Sequence, residues 1–220
     1  MGGKTMSNSS LVNYTKISPN KTVPRDHVID TITIHCVVGQ CSIETLGDIF
    51  SPESREASSN YGIGPDGRIG MYVEEKDRSW CSSNRENDMR AITIEVASDP
   101  YEPYMVTDSA YESLIVLIAD ICKRNGIKKL LWEADPDLIG NIDRQNMTVH
   151  RWFDNKACPG DYLFERHYDI ANRVNKILEN KKEVLYKVQV GAFRNKDYAE
   201  RMREDLKRFG FDSFISEVYE

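Results

Sequence analysis

This sequence of 220 residues predicts an α/β fold: a central mixed β-sheet flanked by helices, followed by a small βαβ C-terminal unit. Three observations carry that prediction. The runs Thr31–His35 and Ala91–Ala97 are β-branched and alternate with a two-residue period, as strands do. Leu114, Leu117, Ile118 and Ile121 recur at helical spacing, as do Tyr162, Ala171, Val174 and Ile177, so helices interleave with the strands. After the charged, apolar-free run Glu179-Asn180-Lys181-Lys182-Glu183 the pattern restarts, which sets a domain boundary near Lys182.

Taken in order, residues 1–27 open with a polar stretch, Met1–Ser10, and are expected to be a flexible segment. The first clear strand is Thr31–His35, with Ile32 and Ile34 alternating with Thr31 and Thr33. Ser42 caps a short helix holding Glu44, Leu46 and Ile49. Tyr61–Gly64 and Arg68–Val73 flank Pro65-Asp66-Gly67, a turn signal that folds them into a hairpin. Ala91–Ala97 reads as a buried strand. A helix over 108–125 ends at Gly126, and Trp132–Asn146 reads as loop. The last helix of the main domain spans 161–180. In the tail, Tyr186, Val188 and Val190 alternate as in a strand, Asp197–Phe209 forms a helix, and Phe211–Val218 a closing strand.

Composition narrows the function classes. A formal charge of −6 without clustered Lys and Arg argues against nucleic acid as a partner. No stretch approaches the roughly 20 apolar residues that cross a bilayer, so membrane insertion is not expected. Without an apolar leader at the start, the expectation is a protein held in the cytoplasm, its five cysteines reduced. Cys36 follows His35 in the strand and is expected on the opposite face, in the core; Cys41 and Cys122 read as core too.

Only four histidines occur. His35 ends a strand, His150 follows the β-prone Met147-Thr148-Val149, and Cys158 comes eight residues later in Ala157-Cys158-Pro159-Gly160. Two imidazoles and a thiolate suit Zn²⁺ with a fourth position open. Spacing alone does not distinguish such a site from ordinary core or surface residues. His27 and His167 match no motif and read as surface residues.

Several blocks, in order, resemble the N-acetylmuramoyl-L-alanine amidase type 2 family, related to phage T7 lysozyme and the peptidoglycan recognition proteins. They are Thr31-Ile32-Thr33-Ile34-His35; Ser59-Asn60-Tyr61-Gly62-Ile63-Gly64-Pro65-Asp66-Gly67-Arg68-Ile69; Arg78-Ser79-Trp80; Ala91-Ile92-Thr93-Ile94-Glu95-Val96; and Val149-His150-Arg151 with Lys156-Ala157-Cys158-Pro159-Gly160. The resemblance implies a zinc amidase catalytic domain over 28–180, with His35, His150 and Cys158 as metal ligands. It implies Glu95 as the proton-transferring group, Lys156 as an oxyanion stabiliser and Tyr61 near the zinc. Each also has a plain reading: Glu95 as an outward-facing edge charge, Lys156 as a solvated loop lysine, Tyr61 as core. Trp80, Asn60, Arg151 and Asn84 are the expected contacts to peptidoglycan. Two features depart from the family: Cys81 stands where many relatives have His, and Thr93 replaces a glycine.

The tail, 181–220, resembles half of a SPOR domain, a peptidoglycan-binding module, in Tyr186-Lys187-Val188-Gln189-Val190-Gly191-Ala192-Phe193. That module has two βαβ halves, so wall binding or pairing of two tails in a homodimer is expected. The resulting expectation is a phage or prophage endolysin, cytoplasmic until release, that cuts the amide between N-acetylmuramic acid and L-alanine. The alternatives are a recognition module that binds peptidoglycan without cutting it, and a cysteine hydrolase using Cys36 or Cys158.

Overall fold

Alternation along the β-branched runs produces a sheet whose two faces differ in chemistry. The computed structural model describes residues 7–179 and 188–217. The chain divides into two compact units, Met1–Lys181 and Lys182–Glu220. In the first unit the strands are β1 (Tyr14–Thr15), β2 (Lys21–Thr22), β3 (Thr31–Val38), β4 (Tyr61–Ile63), β5 (Ile69–Met71), β6 (Arg78–Ser79), β7 (Ala91–Ser98) and β8 (Met147–Val149). Its helices are α1 (Ile43–Phe50), α2 (Arg85–Arg90), α3 (Asp108–Asn125) and α4 (Gly160–Glu179).

The main sheet runs β1-β5-β4-β7-β3-β8 and is mixed: β4 and β5 pair antiparallel, the other neighbours parallel. Register fixes the faces. Ile32 pairs with Ile92 and Met147, and Ile34 with Ile94 and Val149, all buried on the side packed against α3 and α4. Thr33 pairs with Thr93 and Thr148, and His35 with Glu95, on the other side. Each fully buried Ile or Leu on the apolar side contributes about 1.5–3 kcal/mol, so that face holds the domain together. The long helix α3 is capped by Thr107, whose side chain accepts the Ala110 N–H, and stops at Gly126 with φ 77°. The Pro65–Gly67 turn closes the β4–β5 hairpin, with Gly67 at φ 81°.

Three expectations change here. Residues 7–27, read as flexible, are built into the fold. β1 pairs with β5, β2 with β6, and the buried Arg25 guanidinium donates to the carbonyls of Glu75, Asp77, Asp88 and Met89. A polar composition does not preclude order when backbone and guanidinium donors find partners of this kind. Residues 1–6 lie outside the described residues. β3 continues past His35 to Val38, and α2 is an element that the sequence pattern does not announce.

His167 is the third change. It is fully buried on α4, donating from Nδ1 to the Leu163 carbonyl and resting 4.4 Å from Trp132, which stacks on Trp152. A histidine at an inward helical position reads as surface only if its ring is assumed charged; here burial keeps it neutral.

In the second unit, the regular element among the described residues is α5 (Lys196–Arg208), capped by Asn195. The flanking stretches 188–195 and 209–217 carry no strand. Tyr186 and Lys187, the start of the expected first tail strand, lie outside the described residues. Isolated two-stranded pairings are marginal in water.

Burial holds the pKa of His167 at about 4, against an ordinary value of 6.5. The neutral ring therefore stabilises the fold fully above pH 6.5, and that contribution disappears as pH falls through 4. Between those values wild type should lose about 3 kcal/mol more stability than His167→Gln, measured by urea unfolding at stepped pH.

Candidate metal centre and cleft

The parallel pairing of β3 with β7 sets His35 directly beside Glu95 on the polar face. β8 delivers His150 one residue past Val149, the partner of Ile34, so its ring arrives next to His35 with centroids 5.1 Å apart. The loop before α4 carries Cys158 back over the end of β3, where its sulfur accepts the Cys36 N–H at 3.4 Å and lies 3.4 Å from His35 Nδ1. Ligand atoms of His35, His150 and Cys158 all lie within 4.8 Å of one another. A second set of the same compactness, His35, Cys81 and Glu95, shares the first histidine.

Electrostatics at this point favour neutral groups. Burial and the neighbouring His150 depress His35 well below its ordinary value, and burial lowers His150 too. Burial pushes the Cys158 thiol up, with the adjacent Cys36 thiol acting in the same direction. Neutral imidazoles expose lone pairs, and together with a cysteine sulfur they form a donor set that fits Zn²⁺. Glu95 takes no hydrogen bond at Oε2, which is buried, while Cys81 Sγ donates to Oε1 at 3.7 Å. Burial raises the Glu95 carboxyl to about 7; the Cys81 hydrogen bond opposes the shift. The reading of Glu95 as an edge charge does not hold, because β7 is interior to the sheet between β4 and β3.

An open cleft of about 560 Å³ lies over this point, and Glu95, His150, Lys156, Trp80 and Asn84 all line it. Lys156 is exposed, its Nζ 3.9 Å from Asp154. The Trp80 indole is partly exposed and anchored by its N–H to Thr22. Asn84 caps α2 through its side chain.

Three expected site residues face elsewhere. Tyr61 pairs with Ile94, so parity sends its ring to the apolar side, where it is fully buried. Its hydroxyl donates to Glu75 at 2.6 Å and accepts the Ser9 N–H, and Glu75 is itself paired with Arg124. Burial, reinforced by Glu75, raises the Tyr61 phenol. Asn60 is also fully buried: Oδ1 accepts the Thr93 N–H and Nδ2 donates to the Val73 carbonyl, so it pins two strands and does not reach the cleft. Arg151 turns from the cleft to Asp161, the Ala157 carbonyl and the ring of Phe164. Cys36 and Cys122 are buried in the core, and Cys41 is half-buried against the Leu46–Phe50–Tyr72 cluster. His27 is exposed.

The structure adds residues that single-sequence reading passed over. Ser82 approaches His35 and Ser83 approaches His150, while the buried Asp88 accepts the N–H groups of Cys81 and Ser82. Two serines after a tryptophan and a cysteine give no signal in one sequence.

The model of the N-acetylmuramoyl-L-alanine amidase family matches residues 25–161. The chain belongs to this family. The SPOR domain model matches residues 182–220. No curated protein matches the sequence. Among solved structures, a selenomethionine derivative of AmpD is similar at 18% identity and TM-score 0.54, over 76% of this chain and 95% of that one. A mutant endolysin from Bacillus subtilis is similar at 14% identity and TM-score 0.54, over 74% and 99%. PlyL is similar at 13% identity and TM-score 0.51, over 72% and 88%. These likenesses show the shared mixed α/β fold.

Two substitutions separate buried structure from cleft chemistry. Tyr61→Phe and Asn60→Ala should each lower stability by about 1–3 kcal/mol in urea unfolding, because each leaves buried polar partners unpaired. Tyr61→Phe should keep wild-type kcat on peptidoglycan; a hundredfold loss would return the phenol to the reaction.

Proposed function

We propose that this chain is a zinc-dependent amidase that hydrolyses the bond between the lactyl group of N-acetylmuramic acid and the L-alanine of the stem peptide. The observation that carries the reading is the convergence of His35, His150 and Cys158 within 4.8 Å beside a carboxylate, Glu95, with an unpaired buried oxygen. His35, His150 and Cys158 would hold the ion. Zinc, when bound there, supplies Lewis acidity to a water and to the scissile carbonyl.

Glu95 takes the proton from the attacking water and passes it to the departing amine nitrogen. A carboxyl raised to about 7 can serve in both directions near neutral pH. Lys156, exposed at the cleft rim, brings positive charge to the developing oxyanion. Trp80 offers an apolar indole wall and Asn84 a polar edge for the glycopeptide. A module that only recognises peptidoglycan needs neither the three converging donors, Cys158 among them, nor a carboxylate with a free oxygen beside them, so the set favours cutting. Storage in the cytoplasm and release as a phage or prophage endolysin fit this chemistry, and an endolysin is among the proteins sharing the fold.

The SPOR match supports a role for the second unit in holding peptidoglycan. Val188, Val190, Phe209 and Phe211 are exposed around α5, an apolar display that a second copy of the same unit would cover. Two tails pairing in a homodimer follow from this reading. Sedimentation of the full chain should show a dimer, and removal of residues 182–220 should give a monomer; a full-length monomer would end the pairing proposal.

Exhaustive chelation should abolish release of L-alanine amino termini from purified walls, with no new reducing sugars, and Zn²⁺ should restore it. Glu95→Gln should retain the metal and lose at least about a hundredfold in kcat. Binding without release in the wild type would establish the recognition module instead.

A further inference from the structure

Three consecutive side chains, Cys81, Ser82 and Ser83, are delivered to three successive groups of the centre. Cys81 donates to Glu95, Ser82 Oγ lies 3.3 Å from His35 Nε2, and Ser83 Oγ lies 3.2 Å from His150 Nε2. The segment is fixed rather than draped. Asp88, almost fully buried, accepts the N–H of Cys81 at 3.0 Å and of Ser82 at 3.1 Å. Ser83 holds φ at 58°, a left-handed conformation that a non-glycine residue adopts only under constraint from its surroundings.

Donor bookkeeping then decides which ring nitrogen carries each proton. The Ser83 hydroxyl donates to Asp154 Oδ2 at 3.3 Å, so its oxygen has only lone pairs to offer His150. At Ser82 the same logic runs through neighbours. Thr148 donates to Asn87 Oδ1, which turns the Asn87 amide nitrogen to donate to Ser82 Oγ at 3.1 Å. Ser82 Oγ thus accepts the Asn87 amide proton and lies within hydrogen-bond distance of His35 Nε2. The Ser83 oxygen is therefore an acceptor facing an imidazole nitrogen, and the Ser82 oxygen, already accepting from Asn87, faces another. His35 Nδ1, by contrast, points to the Cys158 sulfur.

We propose that Ser83, with its hydroxyl proton committed to Asp154, and Ser82 beside it are positioning residues that hold His150 and His35 as Nε2–H tautomers. Both rings then present the Nδ1 lone pair to the centre without a search over tautomers or ring flips. Hydrogen bonding of the outer ring nitrogen is the general means of orienting a metal-binding imidazole. At His150 the carboxylate acts through an intervening serine.

The affinity part of the test rests on the zinc reading above; the tautomer part does not. Long-range ¹H–¹⁵N NMR of the metal-free full chain should show both rings as Nε2–H. In Ser83→Ala, His150 alone should become a tautomer mixture, with the melting temperature unchanged and zinc affinity about tenfold or more weaker in chelator competition. Asp154→Ala should free the Ser83 proton and shift His150 towards Nδ1–H, a change that loss of a merely structural contact would not give. An Nδ1–H ring in the wild type, or Ser83→Ala with both tautomer and affinity unaltered, overturns the proposal. Because Ser82 is buried, Ser82→Ala is the confirming variant, and the exposed Ser83 decides alone if Ser82→Ala does not fold. A wild type that binds no zinc would end the zinc reading, leaving the spectra to judge the positioning.

Discussion

The parallel register of β3 against β7 and β8 is the constraint on which the rest depends. A strand has a period of two, so one alignment decides both which residues make the core and which make the site. With Ile34 opposite Ile94 and Val149, the isoleucines pack on α3 and α4 while His35 and Glu95 share the other face. A slip of one residue would bury the imidazole among isoleucines and expose the isoleucines in the cleft. Hydrophobic burial on one side thus locks the geometry of polar groups on the other.

Polar groups beneath the cleft are otherwise well partnered. Thr33, Thr148 and Asn87 bond to one another, and Asn60 ties β4 to β7 and to the residues after β5. Against that background the unpaired Glu95 Oε2 is an exception, and buried unsatisfied atoms of this kind are destabilising. Its place, beside the convergent histidines, is where such a cost has a use. The neutral imidazoles, the raised carboxyl and the raised thiol share one cause, removal from water at the base of the cleft.

The second unit obeys different physics. α5 is amphipathic by sequence, yet Tyr198 on it is exposed and Met202 and Leu206 are only partly covered. A segment this short buries too little apolar surface to be stable by packing alone. Its apolar residues stay exposed, whereas the first unit has a closed core.

By itself the sequence determined the elements that strong periodicity or punctuation marks: the two long strands, the Asp-Gly hairpin, α3 with its Gly126 stop, and the α/β class. It also held the amidase-type blocks that bring His35, His150, Cys158 and Glu95 into one reading. Only the tertiary structure decided which side of the sheet each residue faces relative to its neighbours in space. Tyr61 and Asn60 sit in the same block as cleft residues of the resemblance, but pairing with β7 turns one to the core and seals the other between strands. Ser82, Ser83 and Asp88 matter through hydrogen bonds to groups dozens of residues away, and His167 through its enclosure by Leu163 and Trp132. Local periodicity encodes the direction of a side chain relative to its own strand or helix; what that side chain meets is fixed by register and loop closure, which are properties of the assembled chain.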